Sequence, residues 1–273
     1  MTEFESEIRN LSEVEDLKYF LENNYDNQGW GSAYHYTNLN SLYNIFNGKS
    51  IKLSDISETN DVLEKQYAKD KEKYFFCLSR GRITNFDNFG MWGMYGHLRD
   101  EISDKEKTND EKYSKKIGVK ICFPKKELIQ FVKDSNIFMH IMGYASFMYD
   151  SVSRISICSY KTDNEFTIDR NLAGYIKDNS WSYEKELRLS VDLQKSKNCK
   201  VTDKGVFLPL SNQLLKSLKV YPSPLYSVEE CKKIFDNLCK TKMPEYYPRF
   251  EDNFYYKNYY SGQELHPAHI KNK

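Results

Sequence analysis

The stretch "WSYEKELR", Trp181 to Arg188, carries two glutamates and an arginine at alternate positions. Side chains of an extended strand alternate between its two faces. Read as the strand "SYEKELRLSV", Ser182, Glu184, Glu186, Arg188 and Ser190 share one face, and Tyr183, Leu187, Leu189 and Val191 share the other. Two readings of the polar face compete. On a solvated outer strand it is a set of ion pairs worth about 0–1 kcal/mol each. In a cleft, one glutamate is an anionic catalyst positioned by the other and by Arg188. The stretch "YHYT", Tyr34 to Thr37, poses the same kind of question, because a core strand would more naturally carry valine and isoleucine there. His35 is either a satisfied interior histidine or a ligand-binding group.

Other chemistry-bearing groups have simpler readings. In "SETNDVLE", Asn60 and Asp61 precede an apolar periodic run that includes Glu64. Such a pair is first of all a helix N-cap, and only secondarily a contact for an adenine or ribose edge. Trp92 and Tyr95 in "MWGMY" stand three residues apart, the spacing of one helix face, and read as a core or pocket wall before a base-stacking platform. His97, His140, His266 and His269 are dispersed, and "HPAH" has no partnering cysteine or acidic cluster, so no metal site is expected. A hydrolase or nuclease using Asp61, Glu64 and the two strand glutamates with a divalent metal is the competing reading. No Gly-x-Ser-x-Gly, phosphate loop or kinase set is present.

Several elements must position these groups. "LSEVEDLKYFLENN" places Leu11, Val14, Leu17, Phe20 and Leu21 on one helical face, with Ser12 and Glu15 as a capping box. A strand from Ala33 to Tyr36 is expected to enter a helix with Leu39, Leu42, Ile45 and Phe46 on one side and Gly48 as its stop. "SIKLS", "KYFFCLSR" and "KIGVKICF" read as strands, and "NFGMWGMYGH" as a short aromatic helix or loop. The charged tract "RDEISDKEKTNDEKYSKK" reads as a mobile surface loop. Beyond it a helix over 125–133, the strand "RISICSY" and a helix over 166–177 are expected. "GVFLPL" and "LKVYPS" then read as strands around a helix from Ser227 to Lys240 capped by Ser227 and Glu230. The run "KMPEYYPRFEDNFYYKNYY" reads as a tyrosine-rich strand on the sheet rather than a base-stacking surface. Strands and helices are interspersed without the alternation or glycine fingerprint of a doubly wound sheet, which indicates an α+β fold.

The 273 residues suit one large domain, here expected over 31–245 with an N-terminal helix and linker over 1–30 and a tyrosine-rich strand and tail over 246–273. With 40 basic against 39 acidic residues, no whole-molecule field favours nucleic acid or an anionic membrane, so any such binding must come from a local patch. The 22 tyrosines and 16 phenylalanines supply core volume, and tyrosine also lines polar pockets. Six cysteines lack zinc-like spacing, and Cys77, Cys122 and Cys158 lie in apolar runs where cysteine acts as a small hydrophobe. With a polar N-terminus and no apolar stretch of spanning length, reduced thiols and a cytoplasmic location are expected.

Taken together, Tyr34 to Thr37, Asn60 and Asp61 with Glu64, Met91 with Trp92 and Tyr95, Gly118 with Val119, and Trp181 with Glu184, Glu186 and Arg188 resemble the bacterial domain of unknown function DUF2971. The resemblance covers roughly residues 30 to 240, with Lys120 standing where a cysteine is common. The histidine-threonine strand, the following helix and a late strand bearing Glu-x-Glu also look like the ADP-ribosyltransferase superfamily. That likeness implies a mixed, split central sheet flanked by helices, and NAD as substrate. It implies Glu184 or Glu186 as the catalytic carboxylate, His35 and Thr37 as a ribose clamp, and Tyr36, Trp92 or Tyr95 as the nicotinamide platform. Arg80 would neutralise pyrophosphate and Arg188 would position the glutamates. A protein or nucleic-acid acceptor, and a role as a toxin or anti-phage defence effector, are the further implications. A non-catalytic module binding a nucleotide, nucleic acid or protein through the same aromatic cleft is the alternative.

Overall fold

The computed structural model describes residues 14–26, 29–61, 64–65, 74–81, 89–96, 109–147, 154–156, 165–167, 174–193, 198–240 and 242–252. In chain order its elements begin with α1 (Val14–Asn23), β1 (Ser32–Asn38), α2 (Leu39–Gly48), β2 (Ser50–Asp55), β3 (Tyr74–Gly81) and α3 (Phe89–Tyr95). They continue with α4 (Asp110–Lys116), β4 (Gly118–Pro124), α5 (Lys125–Ser135), β5 (Phe138–Ile141), β6 (Gly143–Phe147), β7 (Arg154–Ser156), β8 (Glu165–Thr167) and β9 (Ile176–Asp178). After a 3₁₀ segment, Asn179–Glu184, come β10 (Glu186–Val191), β11 (Lys200–Thr202), β12 (Gly205–Pro209), α6 (Asn212–Ser217), β13 (Lys219–Pro222), α7 (Val228–Cys239) and β14 (Arg249–Phe250). The architecture is mixed α and β with mostly antiparallel strands, and it divides into two compact units.

The first unit comprises Met1–Ala33, Ile51–Asn85 and Lys125–Pro209. Its strands run in the order β11, β12, β2, β3, and β10 lies antiparallel to both β3 and β5. Paired along both edges, β10 is an interior strand, and Leu187, Arg188 and Leu189 are all fully buried. Its two faces are therefore both dry, so the polar one must find its partners inside the protein. A second ladder runs β8, β7, β6, β9 and is parallel only between β6 and β9. Helix α1 packs against β5, with Leu17, Phe20 and Leu21 buried on the face that their spacing predicts.

The second unit comprises Tyr34–Ser50, Phe86–Pro124 and Leu210–Lys273. Its strands run β1, β4, β13, β14, with β13 antiparallel to β4 and parallel to β14. Helix α2 starts where the Asn38 side chain accepts a hydrogen bond from Ser41 N at 2.8 Å, and it buries Leu39, Leu42, Ile45 and Phe46. It packs against α4 and α7. The capping box of α7 is complete, with Ser227 and Glu230 each accepting from the other's backbone N–H, and its buried face carries Cys231, Ile234 and Phe235.

Some local expectations are corrected. Helix α2 ends at Gly48, but the left-handed residue that closes it is Lys49 (φ 48°), whose N–H donates to Ile45 O. At both ends of the expected helix over 166–177 the chain is strand, Phe166 in β8 paired to β7 and Ile176 and Lys177 in β9 paired to β6, and residues 168–173 lie outside the described residues. Interstrand pairing there outweighs local periodicity. Within the charged tract, Asn109 caps the helix α4 by accepting from Lys112 N, so that part is no loop, while the tract's residues 99–108 lie outside the described residues. The Ser12 cap, the end of "RISICSY" from Ile157 and the C-terminal tyrosine run from Asn253 also lie outside them, while Arg249 and Phe250 of that run form β14 beside β13. The strand expected over 182–191 begins only at Glu186, because Ser182, Tyr183 and Glu184 close a 3₁₀ segment at the left-handed Lys185 (φ 46°).

Candidate functional site

Arg188 organises the first unit's charged residues. From β10 it sits in register with Cys77 on β3 and His140 on β5. Its Nε donates to Glu186 Oε1 at 2.6 Å and its Nη2 to Glu64 Oε2 at 2.9 Å, while Nη1 donates to Glu64 Oε1. Longer bonds from Nη1 to Gly174 O (3.3 Å) and from Nη2 to Glu186 Oε2 (3.4 Å) give each of the five guanidinium N–H groups an acceptor. The guanidinium carbon lies 4.8 Å from the centre of the Phe75 ring. Gly174 makes this fit possible. At φ 88°, a Cβ there would meet Phe75 at 2.7 Å. Its carbonyl also accepts from His140 Nε2 at 2.9 Å, which leaves Nδ1 to accept from the Ser190 hydroxyl at 3.1 Å.

Lys177, from β9, links the two candidate catalytic carboxylates: its Nζ lies 2.8 Å from Glu184 Oε2 and 2.8 Å from Glu186 Oε2. All three side chains are about 5% exposed or less, and the Lys177 ammonium lies 5.2 Å from the centre of the Trp181 ring. Glu184 is fixed by its backbone as the last 3₁₀ residue, where its carbonyl accepts from the Ser79 hydroxyl at 2.5 Å. Arg80 holds the next residue, donating from Nε (3.2 Å) and from its backbone N–H (3.0 Å) to Lys185 O. The Glu186 N–H donates to the Tyr144 hydroxyl at 2.6 Å.

The charges settle accordingly. Burial by itself would raise the Glu186 carboxyl, but Arg188 and Lys177 outweigh it and hold the group well below the usual carboxylate range. Burial works against the Lys177 ammonium, and Glu186 ahead of Glu184 overcomes it, so its pKa is raised. The Cys77 thiol is pushed well up by burial and then by Glu186, which leaves it a poor nucleophile. Among the described residues, three buried carboxylates (Glu64, Glu184, Glu186) and two cations (Lys177, Arg188) meet in this cluster.

The candidates for ribose and nicotinamide contact belong to the second unit. On β1, Tyr34 and Tyr36 share one face, and His35 and Thr37 share the other. Tyr36 meets Trp92 edge to face at 5.0 Å, and Trp92 is fully buried on α3, with Tyr95 half-buried three residues on. Asp61 lies in the first unit and behaves as a cap: its carboxylate accepts from Glu64 N at 3.3 Å and its carbonyl from Lys65 N at 3.2 Å. Sequence reasoning missed Lys177, His140 and Tyr144. Nothing in their local sequence marks them, since each joins the cluster through sheet pairing. It also set Lys120 aside, although a lone lysine inside "GVKICF" is a visible signal.

Among the described residues, no group of three or more histidines, cysteines, aspartates or glutamates is arranged to hold a metal ion, and no helix is long and apolar enough to cross a membrane. Comparison with family models, with curated proteins and with solved structures finds no match to this chain.

Proposed function

We propose that this protein is an NAD-consuming, ADP-ribosyltransferase-like enzyme in which Glu184 acts on the nicotinamide riboside and Glu186 holds the site in place. The observation that supports the reading is the pair of buried carboxylates, Glu184 and Glu186, held 2.8 Å from one shared ammonium, Lys177 Nζ. In the reaction, the bond between the nicotinamide nitrogen and ribose C1′ breaks with its electron pair leaving on nicotinamide. Positive charge builds on the sugar ring, and a fixed carboxylate in a dry site stabilises it strongly. The acceptor then bonds to C1′ and loses a proton. The superfamily likeness assigns His35 and Thr37 to ribose, Tyr36, Trp92 or Tyr95 to the nicotinamide ring, and Arg80 to pyrophosphate. A protein or nucleic-acid acceptor, and a role in bacterial toxicity or defence, belong to the same proposal.

A second reading has its own support. Glu184 and Glu186 are each only 3% exposed and are engaged in internal pairs, as expected of a rigid, non-catalytic module that binds a nucleotide, nucleic acid or protein. Nicotinamide release from NAD by the purified protein, with and without cell lysate, separates the two. The transferase reading expects release that falls at least a hundredfold in Glu184→Gln, with the far- and near-ultraviolet circular dichroism unchanged. NAD binding without release selects the binding module. Release at the wild-type rate in a folded Glu184→Gln protein rejects Glu184 as the catalytic carboxylate.

A further inference from the structure

Glu184 and Glu186 stand on either side of Lys185, whose backbone is left-handed (φ 46°, ψ 48°). A side chain with a Cβ disfavours that conformation, and it persists only where the surroundings impose it. Here they do. The Lys185 N–H donates to Ser182 O at 3.2 Å and closes the 3₁₀ segment. From β3, the Ser79 hydroxyl donates to Glu184 O at 2.5 Å, and Arg80 donates to Lys185 O from its backbone N–H at 3.0 Å and from Nε at 3.2 Å. From β6, the Tyr144 hydroxyl accepts from Glu186 N–H at 2.6 Å. Both peptide groups that flank Lys185 are therefore gripped by other elements of the same unit.

The torsions of Lys185 set the angle between the 3₁₀ segment and β10, and with it the direction of Glu184 relative to Glu186. In this arrangement Glu184 reaches Lys177 Nζ from the turn and Glu186 reaches it from the strand, each at 2.8 Å. The two carboxylates are secured differently. Glu186 has its own side-chain anchor, Arg188 Nε at 2.6 Å, whereas the placement of Glu184 depends on the turn that Ser79 and Arg80 hold.

We infer that Ser79 and Arg80 are positioning residues: they hold the Lys185 turn and through it aim Glu184 at the reacting bond. The inference rests on the transferase reading of Glu184, and it gives Arg80 a different part from the pyrophosphate contact that the superfamily likeness assigns. The two parts leave different kinetic traces. A pyrophosphate contact acts in the bound substrate and the transition state alike, so its loss raises KM for NAD. A group that aims the carboxylate acts where positive charge builds on the ribose, so its loss lowers kcat. Displacing a catalytic group by about 1 Å can cost about a hundredfold in rate.

The test follows nicotinamide release against NAD concentration by the full chain, in wild type, Arg80→Met, Ser79→Ala and Ser79→Thr. A parallel carbon spectrum uses protein with ¹³C at the glutamate carboxyls. Arg80→Met keeps the side-chain length and the backbone N–H, and Ser79→Thr keeps the hydroxyl. In Arg80→Met and Ser79→Ala, kcat is expected to fall about tenfold or more with KM for NAD within about twofold of wild type, and Ser79→Thr is expected to restore kcat. The carboxyl signal absent from Glu184→Gln is expected to shift in the same two variants, while the signal absent from Glu186→Gln stays. If Arg80→Met does not fold, Ser79→Ala against Ser79→Thr carries the comparison. A raised KM at unchanged kcat makes Arg80 a substrate contact and overturns the inference. If wild type releases no nicotinamide, the transferase reading fails and the carbon spectrum alone decides the positioning role. A Glu184 signal that keeps its wild-type position in folded Arg80→Met and Ser79→Ala overturns that role.

Discussion

Arg188 and Glu64 stand 124 positions apart in the chain and meet as a two-pronged ion pair in which both side chains are fully buried. Removing one charge leaves the other stranded in a medium that cannot solvate it. Glu64→Gln keeps the shape and is expected to cost about 3–5 kcal/mol. Urea denaturation at pH 7 reads this as a lower midpoint at unchanged slope. A loss under about 1 kcal/mol would show that the pair does not hold the cluster together.

Glu186 predicts the acid side of the stability curve. Its folded pKa lies below the ordinary glutamate value of 4.5, so the stability it contributes is fully present above that pH and is lost as pH falls toward the folded value. Glu186→Gln is therefore expected to be less stable than wild type at pH 7, with the gap narrowing steadily below pH 4.5. Thermal melts of both proteins from pH 7 to pH 2.5 test it. A gap that stays constant through that range contradicts the assignment.

Lys120 predicts a dependence of the same sign at high pH. With the folded value lowered from 10.5 to about 8, both states are protonated below 8 and the folded state carries the whole penalty. Between the two values the unfolded chain binds more protons, so stability rises with pH by up to about 3 kcal/mol. Lys120→Met should be more stable relative to wild type at pH 7 than at pH 10. Parallel denaturation curves in the two proteins at both pH values would rule this out.

Gly118→Ala tests the contact that seats α3 on β4. The clash is with the Gly96 carbonyl, a backbone atom that cannot rotate away, so the cost should reach or exceed about 3 kcal/mol, the upper end for overpacking. Gly48→Ala is the control, because its Cβ would meet only the Ser50 hydroxyl at 3.3 Å. Similar melting temperatures for the two variants would remove the close approach as a determinant of the fold.

Much of the local structure was legible in the sequence because it depends on near neighbours. The Asn38 and Ser227 caps, the apolar faces of α1, α2 and α7, and the strands of "KYFFCLSR" and "GVKICF" each follow from residues within a few positions. The alternation that put Glu186, Arg188 and Ser190 on one strand face also held from Glu186 onward. It failed at Glu184, where the 3₁₀ segment and the left-handed Lys185 replace the strand, and the helix expected over 166–177 gives way at Phe166 and at Ile176 and Lys177 to strands paired with other segments.

The sequence by itself determined that Glu186 and Arg188 would share one face of a strand, since the alternation of an extended chain fixes that. It did not determine whether they faced water or the interior. That choice belongs to β3 and β5, which pair both edges of β10, to Glu64 and Phe75, which meet Arg188 on its polar face, and to β9, which brings Lys177 to the carboxylates. Lys120 and Trp92 follow the same rule: each is a single letter in an apolar stretch until two glycines, 22 positions apart, bring their segments into backbone contact. Side-chain alternation and capping act over a few residues, whereas burial and charge pairing are set by segments far apart in sequence, and only the folded chain specifies them.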